Sequence, residues 1–227
     1  MESSDSPSFK VGIIGASGAI GRELIKLLVA YDKCSKITVI ARRSLDEWET
    51  EEFKSKLEVV ECEDLDKLSE YKDKFAGHDV FYCCLGSRVG RGKDVFIKVD
   101  YQYPLDFANI AKENGIETYY LVSSSGSKAS SWNLYLKTKG RVEADIKEIG
   151  LEHLVILKPG LLLERDNDKR FLETVSSWIP FMPKIKCSDV AKAMISHAYE
   201  LIKDTEPKDP IVLSNSDLRK LAADATL

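Results

Sequence analysis

The fold is decided by the stretch Val11-Gly12-Ile13-Ile14-Gly15-Ala16-Ser17-Gly18-Ala19-Ile20-Gly21. Its apolar first half predicts a buried strand, and its spaced glycines predict a tight turn. The apolar residues that follow recur at the spacing of one helical face. They are Ile20, Leu24, Leu27 and Leu28. A strand, a glycine turn and a helix in this order form a phosphate cradle, because the glycine backbone approaches a pyrophosphate closely and the helix N-terminus offers free N–H groups.

The glycines at positions 15, 18 and 21 follow the spacing G-x-x-G-x-x-G, and not the G-x-G-x-x-G of the commonest dinucleotide fold. A plain strand-to-helix turn can also contain such a triplet. The apolar run before it and the helical period after it favour nucleotide binding.

The composition is that of an ordinary globular protein. Its 227 residues are 44% hydrophobic and 31% charged, and the net charge of -4 comes without a basic block. We therefore expect neither nucleic acid nor a membrane as a partner. The cysteines are odd in number and scattered, which suits neither a disulfide framework nor a metal site. They are Cys34, Cys62, Cys83, Cys84 and Cys187.

Residues 1–9 are rich in serine and acid and are predicted to be a disordered leader. They contain neither the apolar core of a signal peptide nor the arginines of a transit peptide. No apolar run reaches membrane-spanning length. We therefore expect a soluble, cytoplasmic protein that could also enter the nucleus.

Two arginines, Arg42 and Arg43, follow the second predicted strand. In enzymes that use NAD, an acid about twenty residues after the glycines binds the adenosine ribose. Guanidinium groups at that place can instead pair with a 2′-phosphate, which indicates NADPH. A solvated charge pair is the alternative. Asp64, after the third predicted strand, could meet the adenine amino group or be an ordinary surface acid.

Strands and helices alternate along the chain. The predicted strands after the first are 36–41, 57–62, 79–86, 117–122 and 153–157, and the later helices are 65–75, 96–114, 133–148 and 188–202. This order predicts an α/β fold with a doubly wound parallel sheet of the Rossmann type. One domain would cover residues 10–227, with a small C-terminal lobe on the substrate side after residue 160. Leu85 and Gly86 end a strand and are expected beside the cofactor, with the basic loop 87–93 next to them.

Tyr135 and Lys139 are the candidate catalytic pair. They stand at positions i and i+4 and therefore share one helical face. An ammonium beside a phenol stabilises the phenolate and so suits it to proton transfer. A hydroxyl of the serine-rich loop, from Ser124 or Ser125, would hold the carbonyl oxygen of a substrate.

The glycine turn, the serine loop and Tyr135-x-x-x-Lys139 resemble the short-chain dehydrogenase/reductase family in its atypical branch. Several runs are similar to the Tat-interacting oxidoreductase family over residues 11–202. They are Gly15-Ala16-Ser17-Gly18, Gly77-His78-Asp79-Val80, Cys83-Cys84-Leu85-Gly86, Tyr135-Leu136-x-x-Lys139-Gly140 and Pro159-Gly160-x-Leu162-Leu163.

This resemblance implies NADPH as the cofactor. Ser17, Gly18, Ala19 and Ile20 would then cradle its pyrophosphate, together with Gly15 and Gly21, and Arg42 and Arg43 would bind its 2′-phosphate. Leu85 and Gly86 would lie along its middle, Tyr135, Lys139 and Leu162 near the nicotinamide, and Arg170 would be a further cofactor contact. One departure is Asp100, which stands where the larger family often has an asparagine of the proton relay.

Two functions fit these residues. One is an NADPH-dependent reductase of a small carbonyl substrate. The other is an NADPH-responsive regulator that binds protein partners, with the apolar patch 178–183 as a candidate contact surface, although core burial also explains that patch. A monomer and a homodimer both remain open.

Overall fold

The computed structural model describes residues 8–163, 183–203 and 210–227. The strands are β1 (Phe9–Ile14), β2 (Cys34–Ala41), β3 (Leu57–Glu61), β4 (Val80–Cys83), β5 (Thr118–Val122), β6 (His153–Lys158), β7 (Leu161–Leu163), β8 (Lys184–Lys186) and β9 (Ile211–Ser214). The helices are α1 (Ala19–Ala30), α2 (Glu51–Lys54), α3 (Lys93–Ile97), α4 (Tyr103–Glu113), α5 (Leu134–Glu148), α6 (Cys187–Leu201) and α7 (Asn215–Asp224). Short 3-10 segments cover Asp46–Glu49, Leu65–Phe75 and Val89–Arg91, and a π turn covers Lys98–Gln102.

Seven strands form one sheet in the order β3-β2-β1-β4-β5-β6-β9. Every neighbouring pair is parallel. β1 lies in the interior, where Ile14 pairs with Ile40 on one side and with Cys83 on the other. The strand order reverses between β1 and β4, and this is the point at which such sheets bind ligands beyond their carboxyl ends. The predicted doubly wound parallel sheet is confirmed.

Helices cover both faces of the sheet, because its strands are buried on both sides and therefore consist of nearly continuous apolar runs. On one face α1 and α6 pack through residues such as Leu24, Leu28 and Met194. On the other face α4 and α5 pack through Phe107 and Ile146, where Cys83 also belongs to the core.

Two predicted helices differ from the observed elements. Segment Leu65–Phe75 is 3-10 helix with a kink at Lys67, where φ is -101° and ψ is 16°. The predicted helix 96–114 begins earlier, at Lys93, and is interrupted by the π turn Lys98–Gln102. A π turn inserts an extra residue and so changes which side chains face inward.

The start of the first strand and several later elements also differ from the prediction. β1 begins at Phe9, which is 1% exposed, so the core starts inside the predicted leader 1–9. Residues 1–7 of that leader lie outside the described residues. Helix α2 and the 3-10 segment Asp46–Glu49 were not predicted from the sequence, and neither were the elements on the C-terminal side. They are the parallel pair β7–β8, which forms its own small sheet, the edge strand β9, and helix α7.

Candidate active site

The turn between β1 and α1 depends on glycine at two positions. Gly15 has a φ of +81°, and a Cβ on it would lie 2.5 Å from the carbonyl carbon of Cys84. A Cβ on Gly21 would lie 2.4 Å from the carbonyl oxygen of Gly15. Helix α1 then begins at Gly18 without a side-chain cap and without an acid in its first turn. Its first N–H groups are thus left for a ligand, and its dipole favours an anion.

A cleft of about 380 Å³ opens beside this turn, at the carboxyl ends of β1, β2 and β4. Seven of the predicted cofactor residues line it, namely Gly15, Ser17, Gly18, Arg42, Asp64, Leu85 and Gly86. Residues that follow three different strands therefore meet in one place, which is the arrangement expected at the switch point of such a sheet.

Other predicted cofactor residues lie around this lining. Ala19, Ile20 and Gly21 form the first turn of α1, where the Ile20 side chain points into the core, so it can offer a ligand only its backbone N–H. Arg43 is exposed and does not belong to the lining. Leu162 lies on β7 and packs against the core. Arg170 lies outside the described residues.

Arg91 and Tyr103 are among the lining residues that the sequence did not single out. Arg91 reaches it from the 3-10 turn Val89–Arg91, which belongs to the basic loop expected near the cofactor. Tyr103 reaches it from the start of α4, and its hydroxyl donates a 3.0 Å hydrogen bond to Asp66. Only the charge of the loop could have indicated Arg91, and nothing in the local pattern indicates Tyr103.

The Lys139 side chain extends from helix α5 toward the cleft and is buried. Its Nζ is 3.0 Å from Oδ1 of Asp100, and the two side chains are 3% and 0% exposed. The same ammonium donates to the carbonyl oxygens of Leu85 at 3.4 Å and Val122 at 3.3 Å. Because Leu85 also lines the cleft, the lysine is in direct contact with the cleft wall.

Asp100 faces inward because it lies in the π turn between α3 and α4. Its Oδ2 accepts hydrogen bonds from the backbone N–H of Ser87 at 2.7 Å and from the Ser87 hydroxyl at 2.8 Å. Burial lowers the pKa of Lys139, but the charges of Asp100 and Tyr135 outweigh burial and raise that pKa above its ordinary value. The lysine is therefore held as an ammonium at neutral pH.

Tyr135 lies on the same face of α5, half-buried, with its ring 6.0 Å from the ring of Phe96. The helix begins just before it, because the Asn133 side chain accepts a 3.1 Å hydrogen bond from the N–H of Leu136. The predicted pair of Tyr135 and Lys139 thus occupies one face of a real helix beside the cleft.

The serine loop after β5 is tied to α5 through Glu143. The hydroxyls of Ser123 and Ser127 both donate to Oε1 of Glu143, and Nζ of Lys158 lies 2.9 Å from its Oε2. This network was not predicted. It fixes the loop that carries the two candidate serines relative to the helix that carries Tyr135.

The two candidate serines face different surroundings. The Ser124 hydroxyl donates to the carbonyl oxygen of Ser125 at 3.4 Å. The Ser125 backbone N–H donates to the carbonyl oxygen of Pro159 at 2.9 Å, and its side chain lines a second hollow. Which of the two acts therefore stays a prediction. The apolar patch 178–183 lies outside the described residues except for Pro183, so the regulatory alternative stays a prediction as well.

Solved structures share the fold. The oxidoreductase ylbE from Lactococcus lactis superposes with a TM-score of 0.67 at 21% identity, over 96% of this chain and 99% of that chain. MoeE5, in complex with UDP-glucose and NAD, superposes with a TM-score of 0.69 at 14% identity, over 95% and 81% of the two chains. At these identities the likeness extends to the fold.

Curated relatives correct the expected location. Protein FMP52, mitochondrial, of Candida albicans is 34% identical over 225 residues, which cover 92% of this chain and 96% of the relative. A protein of the same name from Meyerozyma guilliermondii is 32% identical over 225 residues, with 92% and 94% coverage. The prediction of a cytoplasmic protein is therefore wrong. It rested on the lack of arginine in residues 1–9, and so short a stretch does not decide location.

Among the described residues, none of the helices combines the length and the apolar character needed to span a bilayer.

The sequence comparisons also establish the family. Protein HTATIP2 from Rattus norvegicus is 43% identical over 155 residues, which cover 67% of this chain and span 62% of the rat protein. The predicted resemblance to the Tat-interacting oxidoreductases is thereby confirmed. The NAD(P)H-binding family model matches residues 15–200, from the glycine turn to the end of α6. The chain belongs to this NAD(P)H-binding family, as an atypical short-chain dehydrogenase/reductase.

Proposed function

We propose that the chain is an NADPH-dependent oxidoreductase that reduces a small carbonyl substrate. The observation that carries the proposal is the position of Lys139, a buried ammonium that contacts the cleft wall at Leu85 and shares the α5 face with Tyr135. A cofactor cleft and a proton-transfer pair are thus joined by one side chain.

The described residues fit a dinucleotide. The backbone space that a Cβ on Gly15 or Gly21 would fill, and the uncapped start of α1, suit a pyrophosphate. Val99 and Tyr103 give the cleft an apolar and aromatic side that would hold an adenine, and Asp64 in the same lining would accept a hydrogen bond from its amino group.

Charge favours the phosphorylated form of the cofactor. Arg42 stands at the end of β2, where an NAD enzyme would carry an acid, and Arg91 lines the same cleft. Two guanidinium groups would bind a 2′-phosphate, whereas the ribose hydroxyls of NADH lack the charge to pair with them.

When bound, NADPH would provide the hydride for reduction of the carbonyl carbon. The chain supplies the proton and the positioning. The Tyr135 hydroxyl donates its proton to the developing alkoxide, and a hydroxyl from Ser124 or Ser125 donates a hydrogen bond to the same oxygen. Lys139 stabilises the phenolate that forms, and Asp100 keeps Lys139 protonated.

The test is oxidation of NADPH in a panel of aldehydes and ketones, with Tyr135→Phe as the variant. We expect loss of the phenol to lower kcat by about a hundredfold or more, since proton transfer is worth that much. The affinity for NADPH, measured by calorimetry, should stay unchanged. Tyr31→Phe removes a hydroxyl at the far end of α1 and serves as the matched control. Turnover that survives in Tyr135→Phe would contradict the mechanism.

The names of the two yeast relatives suggest where this activity takes place. We propose a mitochondrial location for the chain. Fractionation of cells that express it with a small epitope tag should recover it with mitochondrial markers, and recovery only with cytosolic markers would overturn this location.

A further inference from the structure

We propose that the second hollow, beside Ser125, binds a carboxylate group of the substrate, with Arg219 as the specificity-determining residue. This inference rests on the proposed reductase function and names the class of its substrate, an oxo acid. The carbonyl would lie at the Ser125 end, and the carboxylate would lie at the Arg219 end.

The hollow has a volume of about 500 Å³ and is built from three separate parts of the chain. Its lining consists of Ser125, Pro183, Ser214, Asn215, Ser216 and Arg219. It lies at the carboxyl ends of β6 and β9, on the same edge of the sheet as the cofactor cleft. One hollow at this edge therefore contains both a serine of the predicted catalytic loop and an arginine.

Short contacts at Gly160 join these parts. Its N–H donates a 2.8 Å hydrogen bond to Oδ1 of Asn215, and a Cβ on Gly160 would lie 1.9 Å from the carbonyl oxygen of Pro183. The next N–H, of Leu161, donates to that same carbonyl at 2.8 Å. The serine loop joins them through the bond from Ser125 N–H to Pro159. The walls of the hollow are thus held in fixed positions.

Unpaired donors line this hollow. Arg219 is exposed and forms no ion pair with any residue in the described part of the chain. Asn215 is 7% exposed, and with its Oδ1 bound to Gly160, its Nδ2 makes no hydrogen bond to a described residue. This Nδ2 atom is not enclosed, since it is absent from the buried donors that lack a partner in the described chain. It can therefore donate to an oxygen atom of a ligand in the hollow.

Asp217, an acid in the first turn of the same helix, does not cancel this charge. Asp217 is held by the N–H of Ser214 at 2.8 Å and by the Ser214 hydroxyl at 2.6 Å, as the capping box of α7. Those two bonds direct its carboxylate to the helix cap. A planar guanidinium with an amide and a hydroxyl beside it matches a carboxylate, which accepts two parallel N–H bonds from arginine.

The experiment compares two ketones, 4-acetylbenzoate and its methyl ester, in which methylation removes the negative charge of the carboxylate. Their affinities for the full chain are measured by saturation-transfer NMR, without any turnover. We expect the carboxylate to bind about tenfold more tightly than the ester, as one charge-assisted pair provides. Arg219→Gln should abolish this preference. Lys220→Gln, which removes the neighbouring exposed charge, should retain it.

Equal affinities for the two ketones would overturn the inference, as would failure of 4-acetylbenzoate to bind or a preference that survives in Arg219→Gln. Because the measurement needs neither cofactor nor reaction, it separates this inference from the proposed function. A carboxylate preference without NADPH oxidation would support the carboxylate site and contradict the reductase function. NADPH oxidation with no preference for the carboxylate would support the reductase function and contradict the carboxylate site.

Discussion

Lys139 Nζ lies 3.0 Å from Asp100 Oδ1, and neither side chain is more than 3% exposed. Two opposite charges this deeply buried are tolerated only as a pair, because each alone would lose its hydration without compensation. Ser87 completes the arrangement with two hydrogen bonds to the other carboxylate oxygen. Asp100, which stands where the resemblance led us to expect an asparagine, is therefore the partner that makes the buried Lys139 ammonium stable.

Asp100→Asn should destabilise the fold strongly. Loss of the carboxylate leaves the Lys139 ammonium buried without a partner, which costs about 3–5 kcal/mol in free energy of unfolding. Urea denaturation followed by circular dichroism measures this loss at pH 7. Asp94→Asn, an exposed acid six residues earlier, is the control and should change the stability little. An Asp100→Asn protein as stable as the wild type would show that the pair is not formed.

The same variant should reverse the pH dependence at this site. In the wild type the raised pKa of Lys139 means that the pair stabilises the fold below the ordinary lysine pKa and loses this effect as pH rises through the folded pKa. In Asp100→Asn, burial would lower the pKa of Lys139, so the variant should lose stability as pH falls. The difference in urea midpoint between the wild type and Asp100→Asn should therefore become smaller as pH rises from 7 to 10. A constant difference over this range would contradict the assignment.

Glu143→Gln should loosen the serine loop. The substitution removes the charge that binds two serine hydroxyls and Lys158, and we expect a loss of about 2 kcal/mol in stability. Carbonyl turnover should fall while the affinity for NADPH stays the same, since Glu143 is not part of the cofactor cleft lining. Glu148→Gln, an exposed acid on the same helix, is the matched control. Equal effects of the two variants would rule out a positioning role for Glu143.

The two arginines after β2 should behave differently. Arg42 lines the cleft and Arg43 does not. Arg42→Gln should therefore weaken the binding of NADPH by about 1.5–3 kcal/mol, the range for a hydrogen bond to a charged group. The affinity for NADH should stay unchanged. Arg43→Gln should change neither affinity. Calorimetric titration of both coenzymes decides this, and a larger effect at Arg43 would reverse the assignment.

Gly21→Ala should close the phosphate cradle. The added methyl would lie 2.4 Å from the Gly15 carbonyl oxygen and 2.8 Å from Cα of Ala16, both backbone atoms that cannot turn aside. Overpacking of this kind costs about 1–3 kcal/mol, and NADPH affinity should fall with it. Gly90→Ala, whose methyl would meet no atom within 4 Å, is the control. Thermal melts with and without NADPH provide both readouts.

The sequence predicted the parts of the site that depend on local spacing. Glycines 15, 18 and 21 predicted the turn, and the interval of four residues placed Tyr135 and Lys139 on one face. Alternation of strands and helices predicted the parallel sheet. Each of these signals lies within one element or in the order of elements, so a single chain carries it.

The remaining parts depend on contacts between distant residues. The π turn that directs Asp100 inward carries no glycine or proline that would mark it in the sequence. Asn215 joins the substrate side only because it bonds to Gly160, 55 residues earlier. The 3-10 segment Leu65–Phe75 has an amphipathic period that also predicts an α-helix, and nothing in that period marks the kink at Lys67.

The segment that follows β4 lies between the glycine turn and the Lys139 ammonium. The Cys84–Leu85 backbone packs directly against Gly15 on one side, and the Leu85 carbonyl accepts from Lys139 on the other. The glycine turn and the ammonium thus contact the same short peptide segment, through which a ligand at the turn would act on Lys139. By reciprocity, whatever coenzyme binding does to Lys139, the state of Lys139 does to coenzyme affinity by the same factor.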